Sequence, residues 1–173
     1  MPGFELINEE EKNAVNKLFE DGGVLFPHGF DALRKNYHVR EFEELSTKYF
    51  NCEHSLAVSS GTAAIKIGLK AIGVKPGDEV IAPIFTCTAT NIPFLYMGVK
   101  INFADIDSNT MNMDVDHVRQ LMNVNVKAIV CVHYGGLPCD MDELQTIADE
   151  WDIPIIEDAA HAVGAKYKER EIG

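Results

Sequence analysis

The chain has 173 residues, of which 46% are hydrophobic and 24% charged, enough apolar content for one sizeable globular core. Its net charge of −12 argues against nucleic acid or an anionic membrane held by general electrostatics, since both would repel an acidic surface. No apolar run reaches the roughly 18 residues that a bilayer span needs, and the start, Met1 to Glu11, lacks the basic and apolar regions of a signal peptide; the expectation is a cytoplasmic protein.

Taken in chain order, the first element is a helix: Asn8 and Glu11 have the spacing of a capping box ahead of Val15, Leu18 and Phe19. The stretch Gly22 to Asn36, with Gly22, Gly23, Pro27 and Gly29, reads as an exposed connection. A second helix follows, with Val39, Phe42, Leu45 and Tyr49 on one face. Residues 1–50 are therefore expected to form an amino-terminal helical segment and residues 51–173 a sheet domain.

From there a rhythm sets in. Short apolar runs at Leu56–Val58, Glu79–Ala82, Ile101–Ala104, Ala128–Val132 and Pro154–Ile156 begin 22 to 27 residues apart and read as strands. Between them lie helical patterns: Ile65, Leu69 and Ile72 before the Pro76-Gly77-Asp78 turn, Val115, Val118 and Leu121 after Asp114, and Met141, Leu144, Ile147 and Trp151 after Asp140. Alternation of strand and helix predicts an α/β fold, a mostly parallel sheet covered by helices on both faces.

The four cysteines, Cys52, Cys87, Cys131 and Cys139, form no CxxC pair and have no histidine at zinc-finger spacing. No metal site is expected, and Cys131, inside an apolar run, reads as core.

In an open parallel sheet, ligands collect where strands end. Two such places stand out. In Ser59-Ser60-Gly61-Thr62-Ala63-Ala64, small residues lead from a predicted strand into a helix, whose start presents unpaired N–H groups beside the hydroxyls of Ser60 and Thr62. This is either a phosphate cradle or a plain turn capped by Thr62. In Glu157-Asp158-Ala159-Ala160-His161, an acid ends a buried strand and calls for a cation or several donors. Asp158 either meets a protonated pyridine nitrogen or caps a following helix, and His161 is either a site residue or a satisfied core histidine. A phosphate cradle and an anionic partner for a ring nitrogen would together hold the two ends of pyridoxal phosphate.

The segments Ala57 to Ala64, Pro76 to Pro83, Asp105-Ile106-Asp107, His133-Tyr134-Gly135-Gly136 and Glu157 to His161 resemble, in order and spacing, the DegT-type sugar aminotransferases. The resemblance implies the large domain of the aspartate-aminotransferase architecture (fold type I), here truncated, in an enzyme that is usually a homodimer. It implies transfer of an amino group from an amino acid, typically glutamate, to a nucleotide-linked keto sugar, with pyridoxal phosphate as cofactor, in polysaccharide or related sugar biosynthesis.

The resemblance further assigns the cofactor phosphate to the amides and hydroxyl of Gly61, Thr62 and Ala63, the pyridine nitrogen to Asp158 and the ring oxygen to His161, and Ser60 adds its hydroxyl to the same phosphate-binding turn. Asp158 and His161 are the catalytic candidates within the chain. Cys87 falls where many members carry an aromatic residue stacked on the ring, a departure that leaves it either a weak sulfur contact or a packing thiol. The Schiff-base lysine of the family lies beyond the region matching Gly164 to Gly173, and Lys166 and Lys168 read as solvated charges. The 173 residues by themselves are thus expected not to transaminate and to expose a sheet edge and an apolar face. Two other readings remain: a non-catalytic remnant that binds a phosphorylated ligand or partner subunit, and a sugar dehydratase using the same cofactor. A Rossmann-type nucleotide binder is the weakest fit, because no G-x-G-x-x-G follows the first predicted strand.

Overall fold

The computed structural model describes residues 6–21 and 37–173; the connection expected at Gly22 to Asn36 lies outside the described residues. The chain divides into two units, Met1–Ala57 and Val58–Gly173. In the first, α1 (Glu9–Glu20) begins at the predicted capping box. The Asn8 side chain accepts from the Glu10 amide at 2.9 Å, and the Glu11 carboxylate accepts from the Asn8 amide at 2.7 Å. The second helix, α2 (His38–Phe50), ends on Asn51 in the left-handed conformation, one of the few non-glycine residues that tolerate it.

The run Leu56–Val58 does not form the first predicted strand. Leu56 is 63% exposed, and the Ala57 amide donates to the Glu43 carboxylate at 2.8 Å instead of to a neighbouring strand. An isolated apolar triplet offers too little side-chain burial to fix a ladder when a charged acceptor stands closer.

The second unit is a four-stranded parallel sheet in the order β2-β1-β3-β4, with β1 Glu79–Pro83, β2 Lys100–Ala104, β3 Val126–Val132 and β4 Ile155–Asp158. Helices lie on both faces, as the alternation implied. Val80, Ala82, Ala128 and Val130 pack against Ile65 and Leu69 of α3 (Gly61–Ala71) and Phe94 and Met97 of α4 (Thr88–Met97). Ile81, Ile129 and Cys131 point the other way, onto Val118 of α5 (Val115–Leu121) and Leu144 and Ile147 of α6 (Met141–Trp151). The period of two along each strand therefore feeds two cores. Asp114 and Asp140 cap α5 and α6 through side-chain oxygens.

Two elements were not apparent in the sequence. Helix α4 contains Pro93 and is apolar on most sides, so it lacks the one-sided stripe that marks an amphipathic helix. The antiparallel pair β5 (Lys166–Tyr167) and β6 (Arg170–Glu171) turns at Lys168 and Glu169, both with positive φ. Such turns are normally announced by Asn-Gly or Asp-Gly, which are absent here. Lys166 and Lys168 are exposed, as expected, but each is paired, with Glu171 and Asp142 respectively. Among the described residues no helix is long and apolar enough to cross a membrane.

Candidate functional site

Helices α3 and α4 each lead into the strand that follows and run antiparallel to the sheet. Their amino termini therefore lie at its carboxyl edge, with Pro83, Val132 and Asp158. At the start of α3 the cap is Ser60, not Thr62: its Oγ accepts from the Ala63 amide at 3.2 Å and its carbonyl from the Ala64 amide at 3.0 Å. The amides of Gly61 and Thr62 find no acceptor among the described residues. A Cβ built on Gly61 would meet nothing within 4 Å. The helix start is thus an open place with two unclaimed donors and the positive end of a helix dipole.

Asp158 ends β4, and no helix follows it: Ala160 to Gly164 form turns, which removes the reading of Asp158 as a helix cap. Its carboxylate instead accepts from two directions, from Thr90 Oγ1 at 2.7 Å and from the Ala160 amide at 3.2 Å. Thr90 is buried on the first turn of α4 and lies 3.0 Å from the hydroxyl of Thr86. Sequence reasoning missed both threonines; the available signal was their i, i+4 spacing around Cys87. Cys87 itself is the residue before α4, exposed and making no capping bond with its side chain.

His161 is exposed, and its Nδ1 accepts from the Gly135 amide at 3.3 Å, which leaves the ring proton on Nε2. Tyr134 stands edge-on to the His161 ring at 5.7 Å and tilted against Phe85 at 4.7 Å. The Gly135-Gly136 pair permits this approach: both have positive φ, and a Cβ on Gly136 would lie 3.0 Å from the His161 carbonyl oxygen.

Behind this surface His133 is fully buried. Its Nδ1 accepts from the Cys139 amide at 3.1 Å, so Nε2 carries the proton towards Glu157 at 3.0 Å. Cys131, His133 and Cys139 bring their ligand-type atoms within 4.8 Å of one another, a grouping that the sequence spacing did not announce. Both imidazole nitrogens are engaged by the protein, and the Cys139 thiol donates to the Val132 carbonyl at 3.2 Å. These groups brace β3, β4 and the Leu137–Cys139 segment together.

The predicted residues Cys87, Asp158 and His161, and the stretch Ser60 to Ala63, thus all belong to segments that end at one edge of one sheet. That arrangement suits a flat anionic ligand, with amides for a phosphate, a carboxylate for a ring cation and an imidazole N–H for a ring oxygen.

Residues 7–173 match the DegT/DnrJ/EryC1/StrS aminotransferase family. Over 168 residues the chain is 39% identical to the spore coat polysaccharide biosynthesis protein SpsC of Bacillus subtilis, which covers 97% of this chain and 41% of SpsC. The fold superposes on the aminotransferase from Psychrobacter cryohalolentis with a TM-score of 0.88 at 31% identity, covering 96% of this chain and 40% of that one. It superposes on NtdA from Bacillus subtilis, solved with the cofactor PMP bound, with a TM-score of 0.80 at 33% identity, covering 92% and 35% respectively. The chain spans about two fifths of the length of these relatives.

Proposed function

Because the chain belongs to the DegT/DnrJ/EryC1/StrS aminotransferase family, we propose that it is the cofactor-holding part of an enzyme that moves an amino group from an amino acid, glutamate, to a nucleotide-linked keto sugar. The whole enzyme serves polysaccharide or related sugar biosynthesis; the homodimer implied by the family resemblance and the cytoplasmic location expected from the sequence belong to the same proposal. One observation carries the reading: an open helix start with unclaimed amides and a strand-end carboxylate held by two donors lie at the same edge of the sheet.

Each residue has a distinct task. The Gly61 and Thr62 amides, with the Ser60 hydroxyl and the turn through Ala63, bind the phosphate at the positive end of α3. The Asp158 carboxylate holds a proton on the pyridine nitrogen, and His161 donates its Nε2–H to the ring oxygen. Cys87, at the start of α4, offers a small sulfur face beside the ring. Pyridoxal phosphate, when bound, supplies an electron-accepting ring and a carbonyl that reacts with amines.

None of the described lysines bonds to Asp158, Thr90 or His161. Lys166 pairs with Glu171, Lys168 with Asp142, and Lys100 with Glu79 at the opposite end of the sheet. Transamination needs an amine beside the reacting atoms to carry the proton. On this reading the described residues hold the cofactor without turning it over.

Incubation of the purified chain with pyridoxal phosphate and borohydride tests this, together with an amino-transfer assay from glutamate to candidate keto sugars. The expected result is scattered surface labelling and no transfer. A single labelled lysine accompanied by turnover would overturn the inactivity. Failure of the chain to bind pyridoxamine phosphate at all would overturn the cofactor site.

A further inference from the structure

We propose that Thr90 is the positioning residue for Asp158, fixing the carboxylate that faces the cofactor's ring nitrogen, and that Thr86 fixes Thr90 in turn; this rests on the reading of Asp158 given above. A carboxylate only accepts, so the 2.7 Å bond makes Thr90 the donor. The one proton on the Thr90 hydroxyl is then committed, and the 3.0 Å contact makes Thr86 the donor to Thr90. The chain Thr86 to Thr90 to Asp158 has a single direction, set by the negative charge at its end.

Burial explains why the arrangement is tight. Thr90 is 1% exposed, so its hydroxyl has no access to water and must find its partners within the protein. A bond to a charged acceptor is among the stronger ones available. It joins residues 68 positions apart, tying the first turn of α4, next to Cys87, to the end of β4. One carboxylate oxygen is held by α4 and the other by the Ala160 amide, so the plane of the carboxylate is defined by two separate elements. The remaining lone pairs then point in fixed directions before any ligand arrives, which is the condition for pre-organised recognition. A threonine serving only to fill space here would be equalled by valine, which has nearly the same shape and no proton to give.

The test compares pyridoxamine phosphate with its carbocyclic analogue, in which C–H replaces the ring nitrogen, by calorimetric titration of the chain. Wild-type protein should prefer the natural cofactor form. In Thr90→Val that preference should shrink by roughly tenfold, the scale of one hydrogen bond to a charged group, while affinity for the analogue stays unchanged. Thr90→Ser, which keeps the hydroxyl, should restore the preference.

Equal loss of both ligands in Thr90→Val, or full retention of the wild-type preference, would overturn the role of Thr90 and leave the cofactor site standing. Absence of any preference in the wild-type protein would overturn the reading of Asp158 and this inference with it. Should Thr90→Val fail to fold by circular dichroism, Thr86→Val carries the test. It removes the second donor and leaves the Thr90 hydroxyl in place, so a smaller loss of preference supports the chain of hydrogen bonds and an unchanged preference overturns it.

Discussion

Replacing Gly61 separates the stability of the fold from its capacity to hold a phosphate. Gly61 is the first residue of α3, has no positive φ, and has open space where a Cβ would stand. The Cβ of alanine there meets no neighbour. Removing glycine from a position that other residues can adopt reduces the freedom of the unfolded chain, and typically stabilises by about 0.4–1 kcal/mol. For a chain of this length that corresponds to a rise of about 1–4 °C in melting temperature. The same open space is where the phosphate is proposed to approach the Gly61 and Thr62 amides. A side chain filling it removes a hydrogen bond to an anion, worth about 1.5–3 kcal/mol, so affinity for pyridoxamine phosphate should fall by roughly tenfold to a hundredfold. The larger valine should have the greater effect. Differential scanning fluorimetry of the free protein and calorimetric titration read the two effects independently. Wild-type affinity in Gly61→Val would refute the phosphate assignment, and a marked fall in melting temperature would refute the argument that the space is empty.

Two further expectations concern charge. Asp158→Asn keeps the shape and one of the two accepting oxygens but removes the negative charge, so it should abolish the preference for pyridoxamine phosphate over its carbocyclic analogue; an unaltered preference returns Asp158 to a purely structural role. At the opposite end of the sheet, hydrogen bonds from Lys100, Asn102 and Asn123 hold the Glu79 carboxyl down from its ordinary value of 4.5 to about 2. A carboxyl whose pKa is depressed by folding contributes stability that is fully present above its unfolded value and is lost as pH falls through its folded value. Urea midpoints should therefore fall between about pH 4.5 and 2 less steeply in Glu79→Gln than in wild type, and identical slopes would show that Glu79 is not anchored in this way.

The sequence revealed the sheet domain wherever one physical signal dominated. Val80 to Ala82 and Ala128 to Val132 are buried on both faces and could hardly be anything but central parallel strands. Asn8, Asp114 and Asp140 announced their helices because a side-chain cap is a local interaction. Leu56–Val58 failed because a strand exists only through its neighbours, and the Glu43 carboxylate, distant in sequence, claims the Ala57 amide. Helix α4 escaped notice because its proline and its lack of a polar face hide the helical period. The site divides along the same line. Ser60, Gly61 and Asp158 are recognisable from strand-to-loop punctuation, whereas Thr90 and Gly135 matter through partners 68 and 26 residues away.

The unequal distribution of these ties implies two different kinds of binding at the two ends of one ligand. At the ring end, three bonds join separate segments: Thr90 to Asp158, Gly135 to His161, and His133 to Glu157. The turn after β3, the end of β4 and the start of α4 therefore hold one another in place, and the buried His133 anchors them to the core. At the phosphate end, Ser59 to Thr62 make no side-chain hydrogen bond to any of those segments among the described residues, and the bonds of Ser60 stay within its own helix turn. On the proposed reading the ring subsite is the more firmly tied of the two, and a substitution there should be felt as misplacement of a charge or a proton. The phosphate subsite rests on the position of α3 alone, set by Ile65 and Leu69 in the core. A phosphate bound at its open amides would supply the missing connection, so cofactor binding should slow amide hydrogen exchange more at Gly61 to Ala63 than at Asp158 to His161. Equal slowing at both ends would mean that the ring subsite is also assembled by the ligand, and the pre-organisation attributed to Thr90 would have no basis.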